Sequence, residues 1–361
     1  MKKLLLILIA LPMIGFGQQT YVPDDGFEQR LINLGYDNVL DDYVTTASID
    51  TVTYLVLSAN SMTYLIYDFT GIEDFTALTY LQLSSCSPFP PITISLDLSN
   101  NTALTHLRCF GVGFSILDVS NNTALTFLEL GDFGTSSLDL SDNILLDTLH
   151  ISFSNVGDLD VSHNTALTYL EYQTCYDTSL DVSNNTALAH LECWDLSLTS
   201  LDVSNNTALA HLECWDNQLT SLDVSQNSAL YDLNCVGNQL TSLDVSNNTA
   251  LTKLECQYNQ LTSLDVRNGN NISMQYMECS DNPSLSCINV DDAVWATTNW
   301  TIIDPQHYFS NNCNPSAIQE HTKNKQLLKI TDLLGRETKQ TNQPLFYIYD
   351  DGTVEKRIVI E

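Results

Sequence analysis

Apolar and polar residues alternate in short stretches that recur along most of the chain. In Leu251-Thr-Lys-Leu254-Glu-Cys256, one polar residue separates two apolar ones, and such alternation is typical of a short, half-buried β-strand. The stretch returns at regular intervals, so we expect a series of equivalent strands. Their predicted centres are Leu55, Leu81, Leu107, Leu128, Leu149, Leu170, Leu191, Leu212, Leu233, Leu254 and Met277.

The chain also repeats a longer unit. An aspartate recurs every 21 residues from Asp97 to Asp265, and a strict period of about 20 to 30 residues indicates a solenoid in which each repeat is one coil. The segment S-L-D-V-S around this aspartate also alternates and is too short for an ordinary helix. It predicts an extended or 3₁₀-like return between strands.

One asparagine in each unit occupies a fixed turn position. Amides stacked at such a position can hydrogen-bond to backbone groups from coil to coil, as buried polar groups require. These asparagines are Asn101, Asn122, Asn143, Asn164, Asn185, Asn206, Asn227 and Asn248.

The pattern L-x-x-L-x-C/L-x-x-N, seen from Leu251 to Asn259, resembles the leucine-rich repeat family. It is most similar to short bacterial forms, such as internalin-like proteins and the 21-residue arrays of surface proteins from gliding bacteria. The resemblance covers 49–282. It implies a curved right-handed solenoid with a parallel β-sheet on its concave face, few helices, and use in binding other macromolecules. The first two strand spacings are 26 residues, and a two-residue insertion precedes Met277, so register is less regular there.

The ends of the chain differ from the repeats. Lys2 and Lys3, an apolar run and a Gly-Phe-Gly exit predict a secretory signal peptide and therefore export. Helical spacing from Phe27 to Leu34 predicts a cap on the first coil, as solenoid ends require. In an exported chain, Cys287 and Cys313 favour a disulfide in the other cap. We predict these segments: signal peptide 1–17, N-terminal cap 18–48, repeats 49–282, C-terminal cap 283–315, linker 316–325 and a small β tail domain at 326–361.

The tail resembles the C-terminal sorting domain of type IX secretion substrates. That resemblance implies passage through the outer membrane by the type IX secretion machinery, followed by attachment at the cell surface or release. A small β-hairpin that only packs on the cap is the alternative. The residues that carry the resemblance are Asp332, Gly335, Arg336, Tyr347, Gly352, Lys356 and Arg357.

The net charge of −31 is concentrated in the body of the chain. Between 18 and 315 there are only four basic residues against 37 acidic ones, whereas the tail is neutral. Such a body repels phosphate backbones, which argues against nucleic acid as a partner.

Alternation assigns each residue of a strand to one side of the sheet. Leu191 and Cys193 are predicted to point into the core, whereas His190, Glu192 and Trp194 point out. We therefore expect the repeat cysteines to be inert core thiols, which behave as small hydrophobic groups.

The outward positions provide the candidate site. Glutamates stacked about 5 Å apart repel each other, which favours a protein ligand with basic groups, or a glycan stacked on the aromatic rings. A solvated face copied passively by repeat duplication is the alternative, and it would make the chain a structural spacer or surface-layer protein. The candidate residues are Tyr169, Glu171, His190, Glu192, Trp194, His211, Glu213, Trp215 and Glu255.

No catalytic motif or phosphate-binding loop occurs in the chain, so we expect no enzyme activity, no cofactor and no metal. A zinc site from His190, His211 and a glutamate is the alternative that the spacing leaves open. Calcium bridging by the aspartate column is another, although calcium coils generally need Gly-rich turns. The expected protein is a monomeric, exported binding module for protein–protein or adhesive contacts.

Overall fold

The computed structural model describes residues 17–58, 65–84, 96–112, 116–132, 137–154, 156–175, 178–313, 327–331, 336–338, 344–349 and 354–358. The predicted signal peptide lies outside them except for Gly17. The chain divides into two units, Met1–Asn312 and Cys313–Glu361. Among the described helices, none has the length and hydropathy needed to cross a membrane.

The first unit begins with a cap. Strand β1 (Gln19–Tyr21) pairs antiparallel with β2 (Tyr43–Thr45), and helix α1 (Asp25–Leu34) lies between them in sequence. The Asp24 carboxylate accepts the backbone N–H of Phe27 at 2.8 Å, which caps the helix N-terminus. Phe27 is fully buried, and its ring lies 5.8 Å from that of Phe69. The apolar side of the helix therefore packs against the residues that lead into the first coils.

A long parallel sheet follows the cap. Within the described residues it has eleven strands that pair in chain order, and each strand aligns its central apolar residue with that of the next. The strands are β3 (Tyr54–Ser58), β4 (Tyr80–Ser84), β5 (His106–Phe110), β6 (Phe127–Gly131), β7 (Thr148–Ser152), β8 (Tyr169–Gln173), β9 (His190–Glu192), β10 (His211–Glu213), β11 (Asp232–Asn234), β13 (Lys253–Glu255) and β15 (Tyr276–Glu278).

The alternation of these strands matches their burial. Leu191 and Cys193 are both 0% exposed, whereas His190 and Glu192 on the same strand are only partly buried. Because the sheet period is two residues, one side of every strand supplies the solenoid core. The predicted strand centres, from Leu55 to Met277, are all buried.

The returning side of each coil consists mainly of turns. The aspartate column lies there, and each carboxylate accepts the backbone N–H two residues later, as Asp181 does from Ser183 at 2.9 Å. These are Asx turns, which fix the local bend. In the last coils the return becomes extended and forms a second parallel sheet. Its strands are β12 (Ser242–Asp244), β14 (Ser263–Asp265), β16 (Cys287–Asn289) and β17 (Tyr308–Ser310).

The asparagine column holds neighbouring coils together. Asn206 is 0% exposed, and its Nδ2 donates to the carbonyls of Val182 at 3.0 Å and Asn185 at 2.9 Å in the preceding coil. The other members of the column make the same pair of bonds, each to the coil before. The predicted amide stack is therefore present.

A second helix follows the last repeat strands. Helix α2 (Ala293–Asn299) starts after Asp292, whose carboxylate accepts two backbone N–H groups, and it lies between β16 and β17 in sequence. Cys287 and Cys313 are both disulfide-bonded.

The second unit contains an antiparallel three-stranded sheet in order β18 (Leu327–Thr331), β19 (Pro344–Tyr349) and β20 (Val354–Ile358).

Candidate functional site

The residues predicted to bind a ligand lie on the side of the long sheet that faces away from the core. We call this side, with the outward residues of β3–β11, β13 and β15, the solvent face. Parallel pairing places His190 beside His211 and Glu192 beside Glu213. Tyr169 and Glu171 occupy the same positions on the preceding strand. Equivalent positions of successive coils therefore form continuous columns.

Aromatic rings stack along the first column. The Tyr169 and His190 rings are 4.1 Å apart, and the His190 and His211 rings are also 4.1 Å apart, each pair tilted by only 8°. The ring of His150, which lies in the neighbouring column beside Glu171, is 4.7 Å from the ring of Tyr169 and tilted by 36°. The side chains of His190 and His211 remain 25% and 12% exposed, so the ring edges reach the surface.

The carboxylates of the second column are not an isolated acidic row. Glu192 Oε1 lies 2.7 Å from His190 Nε2 and accepts the Tyr169 hydroxyl at 3.2 Å. Glu213 Oε1 lies 3.4 Å from His211 Nε2. Each carboxylate therefore has a polar partner on its own strand, and these contacts offset part of the repulsion expected from the spacing of the glutamates.

Hydrogen bonds shift the proton equilibria of these groups. The bond from His190 lowers the pKa of Glu192, and the bond from His211 lowers that of Glu213. Both carboxylates are therefore ionised at neutral pH. Burial and the nearby charges of Glu192 and Glu171 raise the pKa of Tyr169, so its hydroxyl stays protonated and donates. Burial alone would lower the pKa of His211, but its bond to Glu213 and the charge of Asp232 raise it.

Two tryptophans extend the site from β9 and β10. Trp194 and Trp215 stack face to face with ring centres 4.2 Å apart, and both are partly buried. The Trp215 indole Nε1–H donates to Glu213 Oε2 at 3.2 Å. The pair forms a rigid aromatic platform beside the carboxylates.

The structure separates one predicted residue from this group. Glu255 lies on β13, with β11 between it and the His211 strand, and it pairs with Lys253 at 2.5 Å. Glu171 also has its own partner, because His150 Nδ1 lies 2.6 Å from it.

Sequence reasoning did not select Asp232. Its carboxylate lies 3.5 Å from His211 Nδ1 and 3.6 Å from Lys253 Nζ. The signal was its position in the same column as His211, one coil later.

The described residues contain two groups of side chains whose ligand atoms lie within 4.8 Å of one another and could hold a metal: His190, Glu192 and His211 on the solvent face, and Asp25, Glu28 and Asp42 in the first cap. The core thiols do not belong to the first group, because they point to the opposite side of the sheet. Cys193 is fully buried on the opposite side of its strand, and burial raises the pKa of Cys235 to about 12.

The predicted sorting residues fall only partly within the described chain. Asp332, Gly335 and Gly352 lie outside it. Tyr347 lies on β19, where it pairs with Ile330 and Glu355, and Arg336 is exposed. Lys356 and Arg357 lie on β20.

Comparison with known proteins identifies the architecture. No family model matches the chain, and no curated protein matches it in sequence. Among solved structures, the functional domain of InlJ from Listeria monocytogenes, described as including a cysteine ladder, is 31% identical with a TM-score of 0.62. The alignment covers 76% of this chain and 66% of that one, so the chain spans just under two thirds of that structure.

Two receptor structures share the fold at lower identity. The GASSHO1/SCHENGEN3 ectodomain from Arabidopsis thaliana is 18% identical with a TM-score of 0.56, covering 73% of this chain and 36% of that one. The structure of the Toll–Spätzle complex from Drosophila is 20% identical with a TM-score of 0.54. Its alignment covers 68% of this chain and 37% of that one. Together with the 21-residue coils and the parallel sheet, these similarities show that the body of the chain is a leucine-rich repeat solenoid.

Proposed function

We propose that the chain is an exported binding module that holds a protein ligand with basic groups on its solvent face, around β8–β10. The observation that carries this proposal is the Trp194–Trp215 platform beside the ionised Glu192 and Glu213. Core packing does not require these groups, because the opposite side of each strand supplies the core.

The site chemistry suits a cationic side chain. A lysine or arginine laid over an exposed indole face gains about 0.5–1 kcal/mol, and more when the contact is desolvated. Glu192 and Glu213 add ionic partners next to the platform, and the 37 acidic residues of the body attract cationic ligands over longer distances. Aromatic residues are also the usual anchors of protein interfaces.

The structural neighbours support a role in protein binding. The GASSHO1/SCHENGEN3 ectodomain is in complex with CASPARIAN STRIP INTEGRITY FACTOR 2, and Toll is in complex with Spätzle. An exported, surface-attached or released protein follows from the signal-peptide pattern and from the tail's resemblance to type IX sorting domains. On that proposal the secretion machinery recognises the tail, which leaves the solenoid free for an adhesive contact.

The test measures binding of the mature chain to immobilised peptides rich in Lys and Arg, with acidic peptides of equal length as the reference. We expect binding to the basic peptides only, weakening as salt rises. The double substitution Trp194→Ala, Trp215→Ala should lower the affinity by about 30-fold or more, as expected for a hot spot worth at least 2 kcal/mol.

Ile144→Ala is the matched control, because Ile144 is 56% exposed and follows Asn143 on the returning side of its coil. It should bind like the unmodified chain. Equal binding by the tryptophan variant, or binding to neutral oligosaccharides alone, would contradict the proposal. No binding to any probe would favour the spacer or surface-layer role.

A further inference from the structure

The stacked histidines of the solvent face bring together an unusual set of donor atoms. His190, Glu192 and His211 each offer one ligand atom, and these atoms lie within 4.8 Å of one another. Two imidazoles and one carboxylate are a donor set that proteins use for zinc and related ions. We propose that these three residues bind one divalent cation of the Zn²⁺ class, which includes Ni²⁺ and Co²⁺.

The distances allow a site without movement of the backbone. With metal–ligand bonds of about 2.0–2.2 Å, two ligand atoms of a tetrahedral site lie about 3.3 Å apart. His190 Nε2 and Glu192 Oε1 are already 2.7 Å apart. The histidine rings stack face to face, so they must turn toward a shared ion. Rotation about side-chain bonds can supply the remaining shift, because all three side chains reach the surface, with 25%, 20% and 12% exposure for His190, Glu192 and His211.

Neighbouring residues are placed to orient the ligands. Asp232 Oδ2 lies 3.5 Å from His211 Nδ1, so Asp232 can hold the Nδ1–H and leave Nε2 for the metal. A carboxylate behind a ligating histidine is the usual arrangement in zinc sites. The Tyr169 hydroxyl donates to Glu192 at 3.2 Å, which fixes that carboxylate.

The column pattern predicts a single site of this kind on the face. In the first column, β11 carries Asp232 where β9 and β10 carry His190 and His211, and β8 carries Tyr169. Within the described strands of the sheet, no other two histidines are direct partners in this column. Three protein ligands leave a fourth position open to water or to a donor group of a ligand.

This proposal does not depend on the proposed protein-binding function, because a metal can bind in the absence of any partner. It is therefore tested on the full mature chain without an affinity tag, by calorimetric titration with ZnCl₂. We expect one Zn²⁺ per chain. Titration with CoCl₂ should give the intense visible absorption of a four-coordinate ion.

Single substitutions assign the ligands. His190→Ala and His211→Ala should each weaken Zn²⁺ binding by about 100-fold or more, since loss of a ligand exceeds the effect of losing an outer partner. Asp232→Asn should weaken it by about 10-fold. His106→Ala is the control, because His106 lies in the same column but is bonded to Thr105 and stacked on Phe127.

A measurement on the unmodified chain keeps the test independent of variant folding. Bound Zn²⁺ should protect His190 and His211, but not His163, from diethylpyrocarbonate, as read by peptide mass spectrometry. Absence of Zn²⁺ binding overturns the proposal, and so does binding that both histidine variants retain. Lack of protection at His190 and His211 also overturns it, whatever the peptide-binding experiment shows.

Discussion

Replacing one buried asparagine tests how the coils are held together. In Asn206→Ala, two hydrogen bonds from Nδ2 are lost, to the carbonyls of Val182 at 3.0 Å and Asn185 at 2.9 Å. Neither carbonyl becomes unpaired, because the first also accepts from the Asn185 N–H and the second from the Leu188 N–H. The full penalty for an unsatisfied buried group therefore does not apply.

The expected loss follows from this pairing. Each net hydrogen bond contributes about 0.5–1.5 kcal/mol, so two of them contribute about 1–3 kcal/mol. Removing the amide from a site that is 0% exposed also leaves a small cavity. The expected loss of unfolding free energy is therefore about 2–3 kcal/mol. Asn205→Ala is the control, since the Asn205 side chain is exposed and makes one longer bond, to Ser183 O at 3.2 Å. It should change stability by about 0.5 kcal/mol or less.

The assay is equilibrium unfolding in urea followed by circular dichroism. Because repeat arrays can unfold in parts, hydrogen exchange of the amides from Val182 to Leu188 provides a local measure in the same samples. An Asn206→Ala variant as stable as Asn205→Ala, with unchanged exchange in that coil, would refute the assignment of the column as the link between coils.

Asn206→Asp sharpens the test because it keeps the volume but replaces the donor by a carboxylate that faces two carbonyls. It should destabilise more than Asn206→Ala at pH 7, since an unpaired buried charge is costly. Burial raises the folded-state pKa of such an aspartate above its unfolded value. The stability deficit should therefore shrink as the pH falls through that folded pKa. A deficit that does not change with pH would contradict this explanation.

Three further predictions concern the rest of the coil. The side-chain and backbone bonds from Ser183 lower the pKa of Asp181 below its ordinary 3.8, and the corresponding serine bonds lower the pKa of Asp97, Asp118, Asp139, Asp160, Asp202 and Asp223. The free energy of unfolding in urea should therefore be highest above about pH 4 and fall as the pH drops through the folded pKa values. A free energy that stays constant down to pH 2 would contradict this prediction. Burial raises the pKa of Cys235 to about 12, so Ellman's reagent at pH 8 should label this thiol only after unfolding, as peptide mapping would show. Leu233 is 0% exposed, so Leu233→Ala should lower the free energy of unfolding in urea by about 2–5 kcal/mol. Leu145 is exposed, so Leu145→Ala should lower it by less than about 0.5 kcal/mol. Equal losses would contradict the burial pattern.

The fold could be predicted largely from the sequence because its two periods are independent of detailed packing. Alternation within the strand assigns Leu191 and Cys193 to the core, and the 21-residue repeat aligns each coil with the next. The asparagine column could be predicted for the same reason, since a polar residue fixed at one position of every coil must find the same partners each time. The change in the last coils was harder to predict: Leu-Asp recurs in every unit, yet among the described residues this segment pairs as a second sheet only from Ser242 onward.

The site was harder to predict than the fold. Columns on the sheet could be derived from the repeat, but the rotamers within them could not. The glutamate row therefore suggested repulsion, whereas the structure places a histidine nitrogen 2.7 Å from Glu192 and 3.4 Å from Glu213. The role of Asp232 depends on reaching His211 across a strand boundary, which no local motif indicates.

Separation of the core from the solvent face explains how one array can carry specific chemistry at one place. Strands β9 and β10 share the residues His-Leu-Glu, β11 has Asp-Leu-Asn and β13 has Lys-Leu-Glu. Their central leucines all remain 0% exposed. The outward residues thus change from aromatic to acidic to basic without disturbing the core that stabilises the coils. Substitutions on the solvent face should therefore alter ligand or metal binding while leaving the core leucines in place. Because Trp194, Trp215 and His211 are partly buried and contact their neighbours, urea unfolding of their variants separates a loss of binding from a loss of stability.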